Sequence, residues 1–465
     1  MNITLLGGVN EIGGNKILVE HKGTRIMLDF GMSFHTAYQY FSEFLQPRKC
    51  ASLRDFFEFG LLPDIRGIYR EDYVKHMGRP AETRDVDAVF LSHSHADHAQ
   101  YIHFLRKDIP IYCTEASKII LKVLEETGSG RFTDFITMCE AFTFKPAARG
   151  GGLVRVDRRA DEYVSERQFH VMQPDKKVKI GSLEIEMIPV DHSLPGSCAY
   201  IIYSDEGNLV YTGDIRFHGY HEDWSEKFVD KAAESKPRWF LCEGTRIDQL
   251  EGSSEEDVKK ELSKIISKAK ELVFVEHPIR DIDRLKSIYL AAKLNDRHLV
   301  ISTKQAYLIK ELGDLSPVKL SEVKILIPPK DWGLICKQGI DCSLLEKDYA
   351  SWEKEFIQAD NAITCPELQK NPKDYVVSMS LWALTELVDI QPKNAVWIKS
   401  SCEPFSEEME LDEERKKHWL EHFKIKEYSA HASGHASGKE IRAMIKKINP
   451  KELIPIHTEH PEAFV

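Results

Sequence analysis

At 465 residues the chain exceeds one ordinary core and calls for two domains or one domain with a large insertion. Its 42% hydrophobic and 29% charged residues are those of a globular protein, and no apolar stretch approaches the roughly 18 residues a membrane-spanning helix needs. Nine cysteines without a CxxC pair argue against a disulfide framework or a thiolate zinc finger, and a net charge of −11 argues against broad electrostatic binding of nucleic acid, so a polyanionic substrate would need a local basic groove or bound metal ions.

The start, MNITLLGGVNEIGG, has no basic flank, apolar run or small-residue cleavage site and reads as a strand, which makes a cytoplasmic location the expectation. ITLLGG, KILVEH and TRIMLDFG follow as short β-rich runs divided by turn residues. Residues 31–85 read as an inserted helical or loop element whose Tyr38, Tyr40, Phe41, Phe56, Phe57 and Phe59 suit an apolar core better than a base-stacking channel. The buried run DAVFL then leads into His93-Ser94-His95-Ala96-Asp97-His98. A strand end places residues 93 and 95 on one side, and a helical turn brings Asp97 and His98 to a neighbouring position, so one loop can serve two metals. Imidazole and carboxylate are the ligands zinc takes when thiolates are absent.

Further on, ARGGGLVRVDRR reads as a hairpin or flexible loop, and His192 in IPVDHSLPGS and Asp214 in LVYTGDIR stand at strand ends. Alone, each reads as a loop or turn residue. Together with the HSHADH run they complete a candidate ligand set. After Glu243 the pattern becomes strand and helix alternation (ELVFVEH, DRLKSIYLAAKL, HLVIST, KILIPP, YVVSMS, AVWIKSS), which predicts a compact α/β domain. In it, Lys399, Ser400 and Ser401 read as a solvated strand end and Arg280 as a helix-start salt-bridge partner, with nucleic-acid contact the lesser reading of each. The tail returns to histidines in YSAHASGHASG, then a helix KEIRAMIKKI and a strand ELIPIHTEH.

HSHADH, His192 and Asp214 in that order resemble the metallo-β-lactamase superfamily. The resemblance implies one zinc held by His93, His95, His192 and Asp214, and a second held by Asp97, His98, His457 and a bridging Asp214. Asp29 in MLDFG matches the family's first motif, in which the aspartate orients the metal loop from behind; a plain turn role stands beside that reading. His435 and His457, 22 residues apart across a helix and a strand, and Glu243 in WFLCEGTR are similar to the nucleic-acid-processing β-CASP branch. LLGGVNEIGGN, HSLPGS, HASGHAS and IPIHTEH resemble the ribonuclease J group within it. The fold implied is α/β: a four-layer αββα metallo-β-lactamase fold with an inserted α/β β-CASP domain, divided as 1–243, 244–428 and 429–465. A closing helix and strand would be expected after His457, and the sequence ends at Val465.

The activity implied is hydrolysis of RNA phosphodiesters, exonucleolytic from the 5′ end or endonucleolytic, through a hydroxide activated by two metals. Asp97 would hold the hydroxide's proton, His435 would protonate the leaving oxygen, and Glu243 would orient His435. Ser193, Ser433, Gly434 and His435, with Ser197, are candidates for a substrate phosphate, against the ordinary turn-forming role of serine and glycine. His431 competes with His435 in register, as a hydrogen-bonded turn residue or a phosphate contact. Two Zn2+ are expected, with Mn2+ an alternative occupant. Single-stranded RNA is the expected partner, DNA the rival, no membrane, and a homodimer stays open. A glyoxalase-II-like hydrolase would have no use for the insert or for His435 and His457, and an inactive RNA-binding scaffold would not need every ligand position filled.

Overall fold

The computed structural model describes every residue except 43, 129, 157–162, 336, 338, 405 and 465. Its strands form two six-stranded sheets and one of seven, with two small hairpin-like pairs. In the first sheet the order is Asn2–Gly7, Lys16–His21, Thr24–Leu28, Ala88–Phe90, Ile111–Cys113 and Phe169–Val171, antiparallel at the start and parallel from Thr24–Leu28 onward. In the second it is Lys177–Ile180, Leu183–Pro189, Cys198–Tyr203, Leu209–Tyr211, Trp239–Glu243 and Glu452–Ile456, the last two pairings parallel. The tail strand thus returns to the sheet begun more than two hundred residues earlier.

Strand periodicity accounts for the layering. Successive side chains point to opposite faces, so Ile17 and Val19 of the first sheet meet Tyr200 and Ile202 of the second in a shared central core. Leu18 points the other way, into a layer with Ala37, Phe56 and Leu121. On the far side Ala199 and Ile201 pack under the helices Glu222–Glu234 and Gly438–Ile448 through Phe228, Ile441 and Met444. The result is the four-layer αββα arrangement the sequence implied.

The third sheet is parallel throughout, in the order Ala362–Ile363, Lys324–Leu326, His298–Ser302, Tyr375–Ser378, Val273–Glu276, Val396–Lys399 and Lys426–Ser429. Both faces are buried: Val273 and Val275 enter one core, Leu272 and Phe274 the other. The first of these cores also takes in Ala116, Ile120 and Val123 of the helix Glu115–Thr127, so the insert packs against the first layer rather than hanging from a linker.

The segment 31–85 is helical in part, and its aromatics divide. Phe56 is core, against Tyr101 and Phe104, while Tyr38 and Tyr40 are exposed. The glycine-arginine run contains strands Phe144–Pro146 and Leu153–Arg155 paired as a hairpin; its residues 157–159 lie outside the described residues. Lys399 and Ser400 are not a solvated strand end. Both are buried, Lys399 between Glu403 and Glu413 and Ser400 under Arg284, because the strand ends inside the junction with the tail.

That junction holds a buried ion cluster. Glu255 accepts from Arg284 (2.8 and 3.1 Å), Arg216 (3.3 Å) and Ser287 (2.8 Å). Arg216 also reaches Asp191 and Asp283, and Arg284 the carbonyls of Ser400 and Ala432. Burial opposes the charge on Glu255, but the two guanidiniums outweigh it and hold the carboxyl down at about 2. Glu255→Gln is expected to destabilise the chain by about 3 to 5 kcal/mol, because it leaves buried guanidinium charge uncompensated. A carboxyl depressed on folding contributes stability that is present above its ordinary 4.5 and lost as pH falls toward about 2. Urea unfolding of the two proteins should therefore differ most near neutrality and converge in acid; a difference that does not shrink would remove Glu255 from that role.

Candidate metal centre

The strand Ala88–Phe90 stops before the histidine run, and residues 91–95 continue beyond the ladder until His95 caps the short helix Ala96–Ala99. Asp97 and His98 lie on that helix. His192 follows Leu183–Pro189, and Asp214 follows Leu209–Tyr211 through Gly213, whose φ of +56° and whose absent Cβ, 2.7 Å from that of Ser92, demand glycine. His435 lies in the loop before Gly438–Ile448 and His457 just past Glu452–Ile456.

These elements bring together all seven ligand candidates expected from the sequence. His93, His95, His192 and Asp214 form one group whose donor atoms all lie within 4.8 Å of one another, and Asp97, His98 and His457 form a second. A third overlapping set is Asp214, His435 and His457. Asp214 is the hub: its Oδ2 lies 3.5 Å from His93 Nε2 and 3.8 Å from His192 Nε2, its Oδ1 3.2 Å from His98 Nε2 and 3.7 Å from His457 Nε2.

Hydrogen bonds behind the rings decide which nitrogen faces inward. The Asp29 carboxylate accepts from His98 Nδ1 (2.7 Å), from Ser92 through both its backbone N–H and its hydroxyl, and from the Tyr211 hydroxyl. Because the Ser92 hydroxyl gives its proton to Asp29, it can only accept from His93 Nδ1, at 3.0 Å. His192 Nδ1 donates to the Gly434 carbonyl at 2.5 Å. The Thr245 hydroxyl gives its proton to Glu243 and so accepts from His457 Nδ1, each at 2.8 Å. The Nδ1 atoms of these four rings are therefore occupied, and their Nε2 atoms face the cavity. His95 Nδ1 meets His93 Nε2 at 2.9 Å and His192 Nε2 at 3.2 Å, with no proton available for both contacts.

Converging lone pairs repel unless a cation sits among them, and His98 Nε2 and Asp214 Oδ1 are buried without a hydrogen-bond partner. The residues thus fit two divalent ions of the kind that accept nitrogen and oxygen ligands. Burial holds His93 and His192 well below the usual imidazole range and brings His95 to about 3, so all three are neutral and ready to ligate. For Asp214 burial opposes the charge, but the surrounding imidazoles, His457 and His98 foremost, outweigh it.

Beside this centre, His435 Nδ1 lies 3.1 Å from Glu243 Oε1, and Glu243 is fully buried with further bonds from the Ile215 and Thr245 backbone. Burial opposes the charge on His435, yet Glu243 and then Asp214 raise its pKa to about 9. Its side chain is 20% exposed, against 0 or 1% for His93, His98, His192 and His457. Gly434 fits closely over the preceding site: a Cβ there would stand 2.9 Å from Ser193 Oγ. The Ser433 hydroxyl accepts from His435 N, and its carbonyl accepts from His218. Ser197 is turned away, buried and bonded to the Leu194 carbonyl. His431 accepts from Arg284 at 3.1 Å, as a hydrogen-bonded turn residue would. Arg280 is no salt-bridge partner: among the described residues it forms no ion pair, and it donates to the Ser94 carbonyl instead.

Sequence reasoning missed Ser92, Tyr211 and Thr245, since a hydroxyl one residue before a ligand or at a strand end carries no pattern of its own. Gly13 and Gly31 are part of the site too, both so close to Asp97 that no side chain fits. Thr245→Val is expected to weaken zinc about 10- to 100-fold at the Asp97, His98 and His457 group and to spare the other. Competition titration with a zinc-binding dye reads the two steps separately, and equal loss at both would contradict the assignment of His457.

Residues 62–231 match the family model described as "Beta-lactamase superfamily domain", and residues 422–463 the "Zn-dependent metallo-hydrolase RNA specificity domain". Ribonuclease J of Pyrococcus abyssi is 23% identical over 99% of this chain and 90% of its own length. Ribonuclease J 2 of Streptococcus pyogenes is 21% identical over 98% of this chain and 69% of its own. A crystal structure of a protein of unknown function from Enterococcus faecalis V583 superposes with a TM-score of 0.73 at 22% identity, covering 99% of this chain and 95% of the other, a likeness of fold.

Proposed function

From a chain that is a metallo-β-lactamase-fold protein of the β-CASP branch, similar to ribonuclease J, we propose a metal-dependent ribonuclease that hydrolyses single-stranded RNA in the cytoplasm. The observation that supports this reading most is the placement of a charged, partly exposed His435 beside two buried ligand groups. A small-molecule hydrolase has no need of that acid on the rim. The division proposed is 1–243 and 429–465 for the metallo-β-lactamase domain and 244–428 for the insert.

Two zinc ions, with His93, His95, His192 and Asp214 on one and Asp97, His98, His457 and Asp214 on the other, would supply Lewis-acid polarisation of the phosphodiester and a nucleophile at neutral pH. Asp97 Oδ2, 3.2 Å from His457 Nε2, would accept and orient the proton of the attacking water. His435 keeps one ring nitrogen on Glu243, which holds the imidazolium and fixes its plane. The other nitrogen protonates the departing oxygen. Glu243 acts through His435 and is a positioning residue. Ser193, Ser433 and Gly434 line the approach to His435 and would receive the phosphate oxygens.

Digestion of a 5′-monophosphorylated RNA and of its DNA counterpart, with zinc or manganese, tests this. RNA cleavage that falls at least about 100-fold in His435→Ala and in Asp97→Ala, with zinc content retained in the former, is the expected result; zinc-loaded protein inert on RNA would refute it. Glu243 favours the imidazolium form of His435, so activity should decline on the alkaline side as that proton is lost. Glu243→Gln removes the main charge that raises the pKa and should move the alkaline limb to lower pH. An unmoved limb would assign the proton donor to another group.

A further inference from the structure

A cleft of about 430 Å3 opens next to the metal centre, between the helix Glu115–Thr127 and the carboxyl ends of strands Val273–Glu276, Tyr375–Ser378 and Val396–Lys399. That end of a parallel sheet is where such folds bind ligands. One wall is apolar, formed by Ile120, Val123 and Leu124. The rim carries Trp382, 81% exposed, the indole most open to solvent among the described residues.

Charge in the cleft is uneven. Each carboxylate of the lining is neutralised: Glu276 by Lys416, Glu413 by Lys416 and Lys399, Asp412 by Arg415. The cations of the lining are not. Arg280 and Lys304 form no ion pair among the described residues, and the two lie close enough for Arg280 to lower the Lys304 pKa, after burial. The carboxylates whose fields reach them have other partners, Asp97 in the candidate metal group with His98 and His457 and Glu353 with Lys330 and Thr303. Arg280 is tethered to the Ser94 carbonyl, in the loop that carries His93 and His95. On a chain of net charge −11, two adjacent uncompensated cations beside the metal ligands form a local anion site.

We propose that Arg280 and Lys304 hold the backbone phosphate adjoining the scissile one, and that Trp382 stacks on a base of the same strand as it enters the cleft. The combination of groups lining the cleft suits a single strand, since an unpaired base offers a face to the indole and to the apolar wall while its phosphate meets the cations. This assignment rests on the ribonuclease reading and deepens it: the cleft selects unpaired nucleic acid.

The test uses the zinc-loaded full chain carrying His435→Ala, which holds RNA without turning it over, and the anisotropy of a fluorescein-labelled single-stranded RNA across a salt series. Adding Arg280→Gln or Lys304→Gln should weaken binding and reduce the slope of log affinity against log salt by about 0.7 each. Adding Trp382→Ala should weaken binding about 5- to 100-fold with the slope unchanged. Lys259→Gln, on the helix Glu255–Lys268, is the control and should change neither. If the parent binds and all three variants match it in affinity and slope, the cleft assignment is overturned and the ribonuclease reading stands. If the parent does not bind and the zinc-loaded wild-type protein does not cleave the RNA, both fall.

Discussion

One buried carboxylate sets the problem that the rest of this molecule solves. Asp214 has five imidazoles within 4 Å or less, at 3.5, 3.2, 3.8, 3.9 and 3.7 Å for His93, His98, His192, His435 and His457. Five polar rings around one charge in a protein interior are unfavourable unless each ring nitrogen has a partner. The outward nitrogens are satisfied by Asp29, Ser92, Gly434 and Thr245, and that of His435 by Glu243; the inward nitrogens of His93, His98, His192 and His457 require cations. Both sheets and the tail are arranged to bring these second partners to the right depth. Asp29 comes from the end of Thr24–Leu28, Thr245 follows Trp239–Glu243, and His457 is delivered by the returning strand Glu452–Ile456.

The insert is tied to the same problem by the Glu255 cluster. Asp191 and Arg216 stand next to or two residues from the candidate ligands His192 and Asp214, and Arg216 meets Asp283 and Glu255 of the insert's helices. Arg284 then fixes the carbonyl of Ala432, just ahead of the loop that presents His435. A change in how the insert sits on the first layers would therefore shift two ligands and the proposed proton donor together. Hydrophobic packing through Ile120 and Val123 limits that movement, while the ion cluster sets its register.

The candidate ligands were legible in the sequence because metal binding needs particular residue types at strand ends, and three histidines and an aspartate within the six residues of HSHADH suit little besides a metal. The four-layer fold was legible through the resemblance, and the parallel insert through its strand and helix alternation. What the sequence hid were contacts made across long separations. Ser400 and Lys399 looked solvated because a strand end normally is; only the packing of the tail against the insert buries them. Arg280 looked like a helix-start partner since Asp281 and Asp283 adjoin it, but Asp281 caps its own helix and Asp283 is taken by Arg216. Thr245 and Ser92 matter through a single proton each, which composition and spacing do not record.

The most direct test of this account is anomalous diffraction at the zinc edge from crystals of the metal-loaded protein. The account predicts two peaks with one Asp214 oxygen on each, His93, His95 and His192 around the first and Asp97, His98 and His457 around the second, and His435 bound to neither. A single peak, or His435 as a ligand in place of a member of either group, would contradict it.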